Sequence, residues 1–279
     1  MTSSVTAGVA PIGASRAAEQ CHADRVVASS SRNREAWDLA SRKYVEESDC
    51  LDDERLADVE LRLLGPLLGS GPRVVHLQSG NGVDALELLS AGARSAIGVD
   101  FSKVAVGAAQ TRAKRLGSGA CYVVGAVPDT PLASGSADLV YTGKGALVWL
   151  SDLEAWAREV ARLLVPGGAL FVYDAHPAAP LWTRDADEAR LDPRQSYFGG
   201  TRANDTFPAS AISRFGGEGL HAVEWQWTLA DIVNSVIGAG MTLAHLGEHP
   251  DPFWRPRDMP AATAWDGRLP NAFTLIART

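Results

Sequence analysis

The chain has 279 residues, 46% of them apolar, enough to bury a sizeable core and suited to one α/β domain with an added segment. Its formal charge of −7, from 26 basic and 33 acidic residues, argues against a nucleic-acid partner, whose binding rests on neutralising phosphates. There is no basic block and no apolar run of the ~18 residues that would suggest a membrane helix.

In chain order, residues 1–31 are rich in Ala and Ser without a compact apolar stretch, so a flexible tail is expected rather than a secretory signal. The single domain is expected over residues 32–279. It opens with a helical cap at 33–68, where "NREAWDLASRKYVEES" and "DERLADVELRLLGPLL" carry apolar residues at helical spacing. The period then changes. "RVVHLQS", "SAIGVD", "CYVVGAV", "ADLVYTG" and "ALFVYDA" read as buried strands, and "GVDALELLSAG", "KVAVGAAQTRAKRLG" and "DLEAWAREVARLL" as the helices between them. Such alternation predicts βαβ units in a mostly parallel, doubly wound sheet. From His176 to Glu224 no period is sustained. An irregular stretch of that length within a domain points to a substrate lid. Regularity returns with "TLADIVNSVIGAG", a helix capped by Thr228 with Asp231 reaching back, and with the strands "MTLAHLGEH" and "NAFTLIART". The scattered Cys21, Cys50 and Cys121 match no metal spacing and suit reduced thiols in a cytoplasmic protein. His245, Glu248 and His249 in "HLGEHPDPFW" fit no zinc pattern either and read as a loop with polar caps, so no metal is expected.

In open α/β sheets ligands bind beyond the carboxyl ends of the strands. The first strand delivers Gln78, Ser79, Gly80, Asn81 and Gly82 there. The two glycines permit close backbone approach, and the next helix offers its N-terminal N–H groups. Asp100 ends the second strand, where a carboxylate can accept both hydroxyls of a ribose. Gly80-x-Gly82-x-x-Ala85 also matches the dinucleotide fingerprint, which keeps an NAD(P)-dependent oxidoreductase open. Against that reading, the nearest approach to a reductase Tyr-x-x-x-Lys is Tyr141-x-x-Lys144, one residue short.

Taken together, "VVHLQSGNG", "GVDFS" and "LLVPGGALFVYD" resemble the motifs of class I S-adenosylmethionine-dependent methyltransferases. "ADLVYTGKGALVWLSDLEAWAREVARLLVPGG" is similar to small-molecule methyltransferases of bacterial secondary metabolism, including antibiotic biosynthesis. The resemblance implies a seven-stranded Rossmann-like methyltransferase fold. It implies S-adenosyl-L-methionine as cofactor, S-adenosyl-L-homocysteine as product, and methyl transfer to an O, N or C nucleophile of a small molecule. A relative that uses the bound sulfonium for cyclisation or rearrangement is the alternative on this fold. The implied cofactor contacts are Tyr44, Gln78, Ser79, Gly80, Asn81, Gly82, Asp100, Phe101, Ala126, Val127 and Thr142. There are departures. His76 stands where the family commonly has an acid, Gln78 where it has a glycine, and Ala126 where an acid often meets adenine, for which Asp129 is a substitute. His176, directly after the fifth strand, is the first candidate base, followed by Lys144 and His221. Trp37 and Tyr44 share a helical face as core anchors. The aromatics Trp182, Tyr197, Phe198, Phe207, Phe215, Trp225 and Trp227 suit walls for a flat or apolar substrate. The expected partner is that substrate, with a homo-oligomer possible and neither nucleic acid nor membrane involved.

Overall fold

The computed structural model describes residues 31–46, 56–182, 190–204, 207–251 and 267–279. Cys21, Cys50 and the expected tail up to residue 30 lie outside the described residues.

The first described helix covers residues 31–40 (α1). After a turn at Ser41 come α2 (Arg42–Glu46) and α3 (Asp58–Leu68). The alternating part follows as β1 (Arg73–Leu77), α4 (Val83–Ser90), β2 (Ser95–Asp100), α5 (Lys103–Arg115), β3 (Cys121–Val124), β4 (Ala137–Gly143), α6 (Leu153–Leu163) and β5 (Leu164–Ala175). Then come β6 (Thr201–Ala203), α7 (Ala209–Arg214), β7 (Val223–Trp225), α8 (Leu229–Gly238), β8 (Thr242–His249) and β9 (Ala272–Arg278). The seven-stranded sheet has the order β3-β2-β1-β4-β5-β9-β8. β1 to β5 are parallel, and β9 inserts antiparallel between β5 and β8. Because the chain winds outward from β1 to β3 and then crosses to β4, a crevice opens at the carboxyl ends of β1 and β4.

Local sequence explains the elements. In α6, Leu153, Trp156, Ala157, Val160 and Leu163 form one apolar stripe, all buried, and the Asp152 side chain caps the helix by accepting from Ala155 N at 2.8 Å. Thr228 and Asp231 form the expected capping box on α8. β5 is a near-continuous apolar run because both its faces are covered. One faces a core with α6 and α8, the other a core with α3, α4 and α5.

A third, smaller core joins α1 to the segment after β5: Ala36 and Ala40 pack with Ala211, Ile212 and Ala222. Asn33 fastens the two by donating to Val223 O at 2.8 Å and accepting from Val223 N at 2.7 Å. That segment is less irregular than its sequence suggests. It holds the antiparallel ribbon β6–β7, with Thr201 opposite Trp225, and the short helix α7. Strands of three residues and a helix of six are too short to impose a visible period on sequence. His245, Glu248 and His249, which the sequence offers both as the end of the strand "MTLAHLGEH" and as a loop with polar caps, lie on β8.

Candidate functional site

β1 ends in a tight turn. Ser79 N donates to Val99 O at 2.9 Å, tying the turn to β2, and Gly82 N returns to Ser79 O at 2.9 Å. The two glycines serve different ends. Gly80, at φ 51°, has open space where a side chain would stand, as close approach of a ligand requires. Gly82, at φ 81°, would place a Cβ 2.6 Å from both Ala109 and Tyr122, so it is needed for packing against α5 and β3. Open space for a side chain or a ligand is thus left at Gly80, while at Gly82 it is taken up by Ala109 and Tyr122.

Asp100 closes β2 beside this turn. Its Oδ2 accepts from Gly80 N at 2.9 Å and its Oδ1 from Ser102 N at 2.8 Å. Burial pushes the carboxyl up to about 6, against the pull of those two N–H donors. Ser102 caps α5 and donates to Asp38 Oδ1 at 2.7 Å, which sets α1 over the end of β2. Asp174 plays a matching part at the end of β5. It accepts from Gly145, Leu147 and Ala175 N–H groups and so holds the loop after β4, and burial raises it too to about 6.

Between these braces lies a narrow recess of about 60 Å³ lined by Trp37, Gln78, Asp100, Phe101, Gly143 to Ala146 and Trp149. Gln78 Nε2 donates across it to Ala146 O at 2.8 Å, while Gln78 Oε1 and Trp37 Nε1 are buried without partners. Trp37 meets Trp149 and Phe207 edge to face, each at 5.3 Å, and Tyr44 leans on Phe207 at 5.8 Å. Trp37 thus serves both as an anchor and as a wall. A wider cleft of about 450 Å³ lies at the opposite, amino ends of β4 and β5. Its carboxylate, Asp138, is already paired with Arg73 at 2.9 Å and Arg94 at 3.6 Å, and the strand ends there are not those at which such sheets bind ligands.

Of the expected cofactor contacts, Gln78, Asp100 and Phe101 line the recess, and Ser79 and Thr142 are buried beside it, each hydroxyl without a partner. Asn81 is half-buried, its side chain accepting from Val83 N and its carbonyl from Arg112. Tyr44 stands in the aromatic group behind Trp37, outside the recess lining. Val127 packs on the core beneath β3, Ala126 is half-buried after it, and exposed Asp129 lies within electrostatic reach of Arg162.

The three candidate bases are not brought together. His176 is buried, its Nδ1 accepting from Ala178 N at 3.1 Å and its Nε2 2.9 Å from Glu248 Oε1. Burial lowers its pKa and outweighs that carboxylate. Nδ1 is thus engaged within the turn after β5 and Nε2 with Glu248 on β8, and a base role requires the Glu248 contact to open. Lys144 lines the recess, but its ammonium reaches Asp84 and lies 3.6 Å from Glu60. His221 is exposed before β7. His245 and His249 share the hydroxyl of Thr274 at 3.0 and 2.9 Å, and no group of three candidate metal ligands occurs among the described residues.

Sequence reasoning passed over three contributors: Asp174, Trp149 and Glu60. Asp174 had a signal, since it ends its strand as Asp100 does. Trp149 and Glu60 had none, because only the folded topology brings them to the carboxyl ends of β1 and β4.

Residues 74–168 match the family model described as "Methyltransferase domain". Among solved structures, the chain is similar to an S-adenosylmethionine-dependent methyltransferase from Mesorhizobium loti at 21% identity, covering 77% of this chain and 96% of that one, with a TM-score of 0.56. It is similar to the [4+2]-cyclase SpnF at 17% identity, covering 88% and 94% of the two chains, TM-score 0.56. A geranyl diphosphate methyltransferase in complex with GPP and sinefungin is similar at 15% identity, covering 79% and 77%, TM-score 0.52. No curated protein sequence matches. At these identities the structural likeness establishes the fold, which is the Rossmann-like methyltransferase fold.

Proposed function

We propose that this chain, whose residues 74–168 match the methyltransferase-domain model, transfers the methyl group of S-adenosyl-L-methionine to an oxygen, nitrogen or carbon nucleophile of a small, natural-product-like molecule. The observation that carries the reading is Asp100: a buried carboxylate, bonded to the glycine turn at Gly80, that faces a recess at the sheet's switch point. The residues present fit the cofactor. Asp100 has acceptor capacity left for hydroxyl donors, the space over Gly80 is open, and Gln78 Oε1 and Trp37 Nε1 await partners. When bound, S-adenosyl-L-methionine supplies a methyl group already activated by its sulfonium. The protein's share is then chiefly orientation, which can be worth about 7–11 kcal/mol of a barrier. Trp37, Trp149 and Phe207 form a wall between the recess and the segment after β5, suited to a flat or apolar substrate. The stacked Trp225 and Trp227, 6.0 Å apart, with Trp227 Nε1 donating to Leu150 O at 2.9 Å, hold that segment against the loop after β4.

A nicotinamide oxidoreductase loses its remaining support in this geometry. Tyr141 is fully buried with its hydroxyl on Glu60, so it pairs with no catalytic lysine at the crevice. Cyclisation or rearrangement beside a bound sulfonium stays as the second reading, favoured by the likeness to SpnF over 88% of this chain.

Mass spectrometry of the small molecules released on denaturing the purified protein tests the proposal. S-adenosyl-L-methionine or S-adenosyl-L-homocysteine is expected, and a nicotinamide nucleotide in their place would refute it. Release of S-adenosyl-L-homocysteine during turnover then separates methyl transfer from rearrangement, which consumes no cofactor.

A further inference from the structure

Among the described residues, the only non-glycine positions with positive φ are Gln78, at 56°, and Lys144, at 57°. They directly follow β1 and β4 and line the same recess. A side chain in this conformation costs roughly 1–2 kcal/mol that glycine would avoid, so a pair of them at one site points to a use for the side chains.

The surroundings say what that use is. Gln78 Nε2 donates to Ala146 O, and this fixes which end of the amide is the carbonyl, since the reverse orientation would set oxygen against oxygen. Oε1 is therefore the buried atom left without a donor. Lys144 Nζ meets Asp84 Oδ1 and lies 3.6 Å from Glu60 Oε2, so one ammonium stands between two carboxylates. Glu60 is held by donors at both oxygens, Tyr141 Oη–H at Oε1 and Ala57 N–H at Oε2, which together with the Lys144 charge favour the ionised form against the burial that raises its pKa. His76, which lies edge-on to Tyr141 and is driven down to about 4 by burial, adds no positive charge. Two carboxylates against one ammonium leave a single net negative charge behind the recess. An orphan acceptor backed by surplus negative charge asks for a cationic donor.

We infer that Gln78 Oε1, backed by the Glu60–Asp84–Lys144 cluster, forms the subsite that reads the α-ammonium group of the cofactor, a contact for a cation that His76 on β1 cannot supply in either protonation state. The inference rests on the cofactor reading above. It makes Gln78 a specificity residue and assigns Lys144 to holding Asp84 and Glu60 rather than to proton removal.

The test is equilibrium titration of the full chain with S-adenosyl-L-homocysteine and with its deaminated analogue, in which hydrogen replaces the α-ammonium. The wild type is expected to prefer the former by about tenfold or more, the scale of one hydrogen bond to a charged group. Gln78→Met and Asp84→Asn should each bring that ratio towards one while leaving affinity for the deaminated analogue within about twofold. Retained affinity for the analogue also shows that the variant is folded. An unchanged ratio in Gln78→Met and Asp84→Asn, or equal weakening of both ligands, overturns the inference and leaves Gln78 as a brace for the loop after β4. Failure of the wild type to bind either compound would overturn the cofactor reading itself.

Discussion

Replacing Asp100 by Asn removes one charge and converts one acceptor oxygen into a donor, at a residue that uses both oxygens. In the folded protein Oδ2 accepts from Gly80 N at 2.9 Å and Oδ1 from Ser102 N at 2.8 Å. The asparagine oxygen can serve one of these, and its amide faces the other N–H. A buried donor left in that state costs about 1–3 kcal/mol. For a domain of this size that corresponds to a loss of roughly 2–12 °C in Tm. The effect on ligand is separate. Losing one hydrogen bond to a charged group costs about 1.5–3 kcal/mol, so S-adenosyl-L-homocysteine affinity should fall roughly 10- to 150-fold. Acidity supplies an internal control. Burial holds the Asp100 carboxyl up at about 6, so below that pH the protein without ligand carries the proton there. Hydroxyl donors need the carboxylate, and binding must then expel the proton. Wild-type affinity should therefore be level above about pH 7 and weaken by up to about tenfold per unit below pH 6, with proton release on binding. The Asn variant should show neither the slope nor the proton release. Calorimetry at several pH values in two buffers of different ionisation enthalpy measures both. Undiminished affinity in the variant at pH 7.5, or a slope that survives the substitution, would refute the assignment of Asp100.

Asp174→Ala withdraws the acceptor of Gly145, Leu147 and Ala175 N–H groups; a stability loss of about 2–5 kcal/mol in denaturant unfolding is expected, and less than 1 kcal/mol would show the loop after β4 to be held otherwise. His176→Ala breaks the contacts to Ala178 N and Glu248, so thermal unfolding should register a loss of roughly 1–3 kcal/mol with cofactor affinity kept. A fall of about 10²–10⁴-fold in turnover without any change in Tm would instead make His176 the base. Asn33→Ala cuts the paired bonds to Val223 and should speed limited proteolysis between β6 and β7, with cofactor plus substrate slowing it; indifference to both would count against a lid role for the segment that α1 fastens.

The parallel core was legible because each of its elements is long enough to show a period. β2 and β4 coincide with the runs "SAIGVD" and "ADLVYTG", and Thr228 with Asp231 announced the start of α8. The segment after β5 was not, since a ribbon with strands of three residues is fixed by pairs such as Arg202 with Glu224, at 2.6 Å, that are 22 residues apart. In the site, Asp100 and the glycine turn were legible from their place at strand ends. The separate duties of the two glycines were not, because the contact of Gly82 with Tyr122 depends on how α5 docks. Nor could the chain order show that Glu60 on α3 and Asp84 on α4 converge on Lys144. Such convergence is a property of packing across two helices and a strand, with no local spacing to mark it.

The central claim is that the crevice at the carboxyl ends of β1 and β4 takes an S-adenosyl ligand. Titrating the purified chain in a calorimeter with S-adenosyl-L-methionine, S-adenosyl-L-homocysteine, NAD and NADP tests it most directly. The first two should bind with Kd values in the micromolar range or tighter, about −8 kcal/mol or better, with the nicotinamide nucleotides silent. Binding of NAD or NADP with no response to either S-adenosyl compound would contradict it.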